Sequence, residues 1–345
     1  MKKIHWQLNF RDLPEIPQSK RWSSKRLDTI EQEISLKLIN NQKISDAERQ
    51  IMNDMTAFYD ELFIKLNSLD YSNFTRLDFI NFSNYIRYAY NYTVLISNTK
   101  YFSQLYRVVI NEDIIGTNNS IIKKGFLTYP PLHVVRKNKK YNRANSPKTT
   151  VFYGSETIDT ALNELKPQIG QKVTIGIWKP NHSNGMNCYP ISHSNKAFEV
   201  NESSTRALKA FQDLKGQQDE TLVSYMDSYL KVLGREFTKS ISHHYEYFIS
   251  SMFSESILDN STRIDSPFEF DAIVYPSVGN NLETSNVAIK KEHFRHNFSL
   301  HQVIEFVVTN TNYRPIKNYT DESINIVEYK DYRQAKDLMD NRIKW

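Results

Sequence analysis

One turn–strand–helix unit constrains this chain more than any other stretch. Asn145-Ser146-Pro147 interrupts the backbone, Val151-Phe152-Tyr153 is a β-branched and aromatic run, and Gly154-Ser155 interrupts it again. So short an apolar run between two breakers reads as a buried strand. Ser155 is placed to cap the helix that follows, in which Ile158, Ala161, Leu162 and Leu165 recur at i, i+3, i+4 and i+7 on one face. Glu164 lies off that stripe, roughly 60° beyond its edge by the helical period. A carboxylate on that shoulder can look along a sheet rather than straight into water. Arg143 stands just before the strand and Tyr153 at its end, so a cation, a ring and a carboxylate can meet on one rim.

The remaining pattern segregates. From Ser24 onward Leu27, Ile30, Ile34 and Leu38 recur at helical steps. Ser45-Asp46-Ala47-Glu48 has the form of a capping box, and Ile51, Met52, Met55, Phe58, Leu62, Phe63 and Leu66 continue behind it as an amphipathic stripe. Phe74 to Leu95 forms a third helical segment. Met and aromatic side chains at that spacing are read as helix core. Strands are expected at Leu105–Ile110, Val173–Trp178, Phe268–Val278, Asn286–Ile289, His301–Thr309 and Ile324–Tyr329, with helices near Glu220–Phe237, Ile241–Leu258 and Asp331–Met339. Residues 180–204 read as polar turns. The expected architecture is α+β: a helical N-terminal module over 1–100, and a mixed or antiparallel twisted sheet over 101–345 that carries a helical insertion at about 200–262.

Several function classes drop out. There is no Gly-x-Gly-x-x-Gly, no Gly-x-x-x-x-Gly-Lys, and no Gly-x-Ser-x-Gly around Ser277. His182, Cys188 and His193 do not have the spacing of a zinc site, and His293/His296 and His243-His244 lack partnering carboxylates, so no metal is expected. Lys and Arg number 44 against 39 Asp and Glu, a net charge of +5 that suits an anionic ligand without the dense basic footprint of a nucleic-acid binder. The run Arg136-Lys137-Asn138-Lys139-Lys140 with Arg143 is read as a solvated loop, with a nucleic-acid patch as the rival reading. Cys188 is the only cysteine, no apolar stretch reaches membrane-spanning length, and the polar start is no signal peptide, so a cytoplasmic setting is expected. Arg107 interrupts an apolar strand. It either snorkels from a sheet edge, pairs with an acid, or clamps an anion.

Taken in order, Tyr106-Arg107, Asn142-Arg143-Ala144-Asn145-Ser146-Pro147, Val151-Phe152-Tyr153-Gly154-Ser155, Ala161-Leu162-Asn163-Glu164, Tyr275-Pro276-Ser277 and Asn286-Val287-Ala288-Ile289 resemble the RES-domain family from about residue 101 to 310. The family is named for an arginine, a glutamate and a serine, which Arg107, Glu164 and Ser277 match. The resemblance implies an ADP-ribosyltransferase-like fold that consumes NAD as substrate without a metal; a non-catalytic module that keeps the pocket to sense a nucleotide is the rival reading. The resemblance further implies a catalytic set of Arg107, Glu164 and Ser277, with Arg143, Tyr153 and Asn286 contacting NAD. Compact members act as toxins neutralised by an Xre-like antitoxin; a protein acceptor, water or phosphate would receive the ribosyl group. Asn142 stands where the family often has glycine, and the segment before residue 101 is extra.

Overall fold

The sheet is the element from which the molecule is built. The computed structural model describes residues 13–17, 33–34, 36–40, 42–89, 97–191, 200–216, 218–258, 269–311 and 327–345. Among the described residues nine strands hydrogen-bond in the order β1-β5-β6-β7-β3-β2-β4-β8-β9. They are β1 (Asn98–Lys100), β2 (Leu105–Ile110), β3 (Val151–Ser155), β4 (Lys172–Pro180), β5 (Met186–Pro190), β6 (Ala272–Pro276), β7 (Ser285–Lys290), β8 (Phe298–Thr311) and β9 (Val327–Gln334). All neighbours are antiparallel except β5 and β6. A parallel pair needs a long crossover. The chain between β5 and β6 supplies one, and it contains the expected helical insertion.

The helices include α1 (Asp46–Ser68), α2 (Arg76–Ala89), α3 (Asn111–Ile115), α4 (Leu132–Asn138), α5 (Ile158–Leu165), α6 (Glu202–Lys215), α7 (Glu220–Thr238), α8 (Phe248–Leu258) and α9 (Lys291–Asn297). The protein is thus α+β. The capping box at Ser45 is made as the sequence requires: Ser45 Oγ accepts from the Glu48 amide at 3.2 Å, and Glu48 Oε2 accepts from the Ser45 amide at 2.7 Å. The stripe of α1 buries Met52, Met55, Phe58 and Leu62. It packs on α7, with Tyr59 edge-on to Tyr229 at 5.5 Å. N-terminal helices and insertion therefore share one core, which lies over the β5-β6-β7-β3 half of the sheet through Tyr189, Ile273, Tyr275 and Ala288.

On the β2-β4-β8 half, the same face is covered by α5 through Ala161 and Leu162. The opposite face is closed by Phe294 of α9, Leu127 and Ile343. Phe294 stacks on Phe152 at 3.7 Å.

Some expectations fail for local reasons. Ser155 belongs to β3, and Thr157 caps α5 instead, its hydroxyl accepting from the Thr160 amide at 3.1 Å. Leu165, placed on the buried stripe by its spacing, is 40% exposed because α5 ends there, with Lys166 in the left-handed region. The expected terminal helix over Asp331–Met339 is absent: its first residues complete β9, where pairing with β8 outweighs a weak helical pattern. The turn-rich stretch 180–204 contains β5 and the start of α6, and the helix expected from Ile241 begins at Phe248 after a 3₁₀ turn, His244–Tyr247. Leu27, Ile30, the leading residues 1–12, His193 and the 90–95 end of the third helical segment lie outside the described residues.

Candidate functional site

The sheet opens at its centre. β2 and β3 are neighbours, yet they share a single ladder position, Tyr106 opposite Ser155, before they part. β2 meanwhile pairs along its whole length with β4, and β3 along its whole length with β7. A cleft of about 380 Å³ occupies the parting, within the ~300–1,000 Å³ usual for small-molecule sites. Arg107, Arg143, Tyr153, Glu164 and Asn286 all line it.

Arg107 enters the gap where the next ladder bonds would be. Its Nη1 donates to the Tyr153 carbonyl at 3.1 Å, and its guanidinium carbon lies 5.9 Å from the centroid of the Phe152 ring. Nε is buried without a hydrogen-bond partner, and no carboxylate of the described residues pairs with this arginine. Burial pulls its pKa down to about 10. Two of the three readings of Arg107 fall away: β2 is interior rather than an edge, and there is no acid partner. What is left is a cation lining the cleft with no carboxylate partner among the described residues, bonded through Nη1 to a carbonyl and unpartnered at Nε.

Glu164 is held from three sides on one oxygen. Oε1 accepts from Ser277 Oγ at 2.5 Å, from Asn286 Nδ2 at 2.8 Å and from the Gly279 amide at 3.2 Å. Asn286 is itself fixed, its Oδ1 accepting from Ser155 Oγ at 2.6 Å. Oε2 makes no hydrogen bond to the described residues. The carboxylate is therefore oriented by one edge and offers the other.

The loop that brings Ser277 and Gly279 is pressed onto the end of α5. A Cβ at Gly279 would stand 2.5 Å from the Asn163 carbonyl oxygen and 2.8 Å from the Glu164 nitrogen, both backbone. Only glycine permits that approach. Hydroxyls stitch the loop to the helix as well, Thr160 Oγ1 to Thr284 Oγ1 at 2.6 Å, and Asn280 Nδ2 donates to Thr284 at 2.9 Å.

Not every expected residue stands in its expected role. Ser277 is fully buried and does not line the cleft; its hydroxyl donates to Glu164. Asn286 reaches the wall but spends its amide on Glu164 and Ser155. Arg143 is largely committed: it donates to the carbonyls of Phe237 and Lys239 at the end of α7, and its Nη2 donates to Tyr247 Oη at 3.3 Å. It supplies charge to the cleft wall rather than a free fork, and it relieves the unpaired carbonyls of a helix end. The Tyr153 hydroxyl is anchored between the Ala144 amide and Asn145 Oδ1, both at 2.9 Å, leaving the half-buried ring as the part that faces the cleft.

Ser155, Gly279 and Tyr247 were not legible as site residues. The Gly-Asn-Asn turn after Ser277 was a usable signal for the loop; Tyr247, contributed by the insertion, carried none. The run Arg136 to Lys140 is exposed at the end of α4, while Arg143 is buried, so the two do not form one continuous basic surface. Among the described residues no helix is long and apolar enough to cross a membrane. No protein-family profile, curated protein or solved structure matches the chain.

Proposed function

We propose that the protein is a RES-like enzyme that consumes NAD by cleaving the bond between nicotinamide and ribose, acting as a toxin or defence effector. The observation that carries this reading is the presence, in one cleft, of Arg107 and a carboxylate, Glu164, clamped by Ser277, Asn286 and the Gly279 amide. Heterolysis of that bond releases neutral nicotinamide and leaves positive charge on the sugar. A preorganised carboxylate beside the ribose stabilises that charge, and holding one oxygen in three hydrogen bonds removes the cost of reorienting it during the reaction. The guanidinium of Arg107 matches the pyrophosphate, with Arg143 adding charge from the wall. The Tyr153 ring offers a flat apolar face to a base. Water, phosphate or a protein side chain then captures the ribosyl carbon.

The test is nicotinamide release from NAD, followed chromatographically, for the wild type and for Glu164→Ala. Loss of a charge partner at the transition state lowers turnover by at least about a hundredfold. Turnover that survives the substitution undiminished dismisses the assignment.

A further inference from the structure

A second hollow adjoins the cleft on the helix-bearing face of the sheet, on the other side of α5. It measures about 390 Å³ and shares Tyr106 with the cleft. Its walls are aromatic and acidic: Tyr106, Phe306, Tyr329 and Tyr332 on the strands, Glu156 and Asp159 at the start of α5. Phe306 and Tyr329 lie 4.7 Å apart between ring centroids, and Tyr329 and Tyr332 6.1 Å apart. Tyr329 is 54% exposed and Tyr332 53%.

Two tyrosines three residues apart on a regular strand would face opposite sides. Here both line one pocket, because β9 carries an extra residue. Val307 pairs with Lys330 and Glu305 with Arg333, so two steps along β8 match three along β9, and Asp331 between them takes a φ of 55°. This is a β-bulge, a device that re-aims side chains. It turns Tyr332 onto the pocket face and Arg333 to the other, where Arg333 pairs with buried Glu305 at 2.6 Å. Of the two pocket carboxylates, Glu156 is paired with Lys100. Asp159 makes no ion pair among the described residues.

We propose that this pocket docks a basic side chain, presented by a polypeptide that binds beside the cleft. Tyrosine faces attract a cation through their ring quadrupoles, Asp159 adds an opposite charge, and the planar guanidinium of an arginine can use both at once. The charge complementarity is local: the chain as a whole carries +5, so a basic partner is drawn to this spot against the general field. Nucleic acid would be repelled by the same carboxylates. The docking claim goes beyond the NAD reading and does not need it.

The experiment is fluorescence anisotropy with two labelled peptides, identical except that one carries arginine where the other carries glutamine. The wild type binds the arginine peptide. Tyr332→Ala and Asp159→Asn each weaken that binding by about two- to fivefold, the scale of a solvent-exposed cation–π contact and of an exposed ion pair. Both variants keep wild-type nicotinamide release in the absence of peptide. Glu164→Ala keeps peptide binding whatever it does to NAD, so failure of the NAD reading is told apart from failure of the docking site. Equal affinity for the two peptides, or arginine-peptide binding indifferent to both substitutions, overturns the proposal.

Discussion

Replacing Gly279 by alanine probes the site without touching any side chain that lines the cleft. The added Cβ would lie 2.5 Å from the Asn163 carbonyl oxygen, 2.7 Å from its carbon and 2.8 Å from the Glu164 nitrogen. These are backbone atoms of α5 and cannot swing aside. The loop must retreat by roughly 1 Å to reach ordinary contact, and misplacement on that scale costs about a hundredfold in rate when the displaced group orients a reacting one. The retreat lengthens the 3.2 Å bond from the Gly279 amide and drags Ser277 from Glu164 Oε1. Strain of this kind costs about 1–3 kcal/mol of stability, so the variant folds with a lowered Tm. The assay is nicotinamide release under saturating NAD, beside thermal unfolding of the same sample. A kcat fall of about a hundredfold with KM within a few-fold of wild type is expected. A variant with kcat within twofold of wild type would refute the idea that the loop positions the carboxylate.

The other expectations are simpler. Ser277→Ala removes one of three donors to Glu164 and lowers kcat by about ten- to a hundredfold, the range for a hydrogen bond to a charged group, without weakening NAD binding; a matching loss of affinity would place the hydroxyl on the ligand instead. Arg107→Met abolishes NAD binding by calorimetry yet raises stability by on the order of 1–3 kcal/mol, since it removes a buried charge that has no acid partner. A folded-state pKa depressed to about 10 means the unfolded chain holds that proton more tightly, so the penalty is present in full below pH 10. The stability advantage of the variant should therefore shrink as pH rises through 10; an advantage unchanged at pH 11 would show that charge burial is not its origin. Burial raises the Cys188 thiol to about 12, so a thiol reagent at pH 8 labels the unfolded chain and spares the native one; rapid native labelling would contradict the packing of β5.

Those parts of the fold governed by short-range pattern were legible in the sequence. The Ser45 capping box, the stripe of α1, and the strands around Arg107, Tyr153 and Tyr275 follow from spacing and breakers alone. β1, β5 and the second half of β9 did not, because their residues are strand-forming only once a neighbour offers its edge: β5 sits in a polar stretch, and β9, expected to end at Tyr329, runs on through Lys-Asp-Tyr-Arg-Gln. In the site, spacing alone brought Arg143, Tyr153 and Glu164 to one rim, while Arg107 joined them only through the resemblance to the RES-domain family. The division of labour around Glu164 was not legible. That Ser277 and Asn286 face the carboxylate depends on where a loop of residues 277–284 lands on α5, which Gly279 permits and the Thr160–Thr284 contact fixes. Arg143 likewise looked available for an anion until the end of α7, far along the chain, took up its donors.

The most direct measurement is a proton NMR time course of NAD with the pure protein, run beside Glu164→Gln, which keeps the shape of the side chain and removes its charge. Wild type should release free nicotinamide together with a ribosyl product altered at its anomeric carbon, and the variant should leave NAD intact over the same period. NAD that stays whole with the wild type, or that is split at the pyrophosphate, would contradict cleavage of the nicotinamide–ribose bond at Glu164.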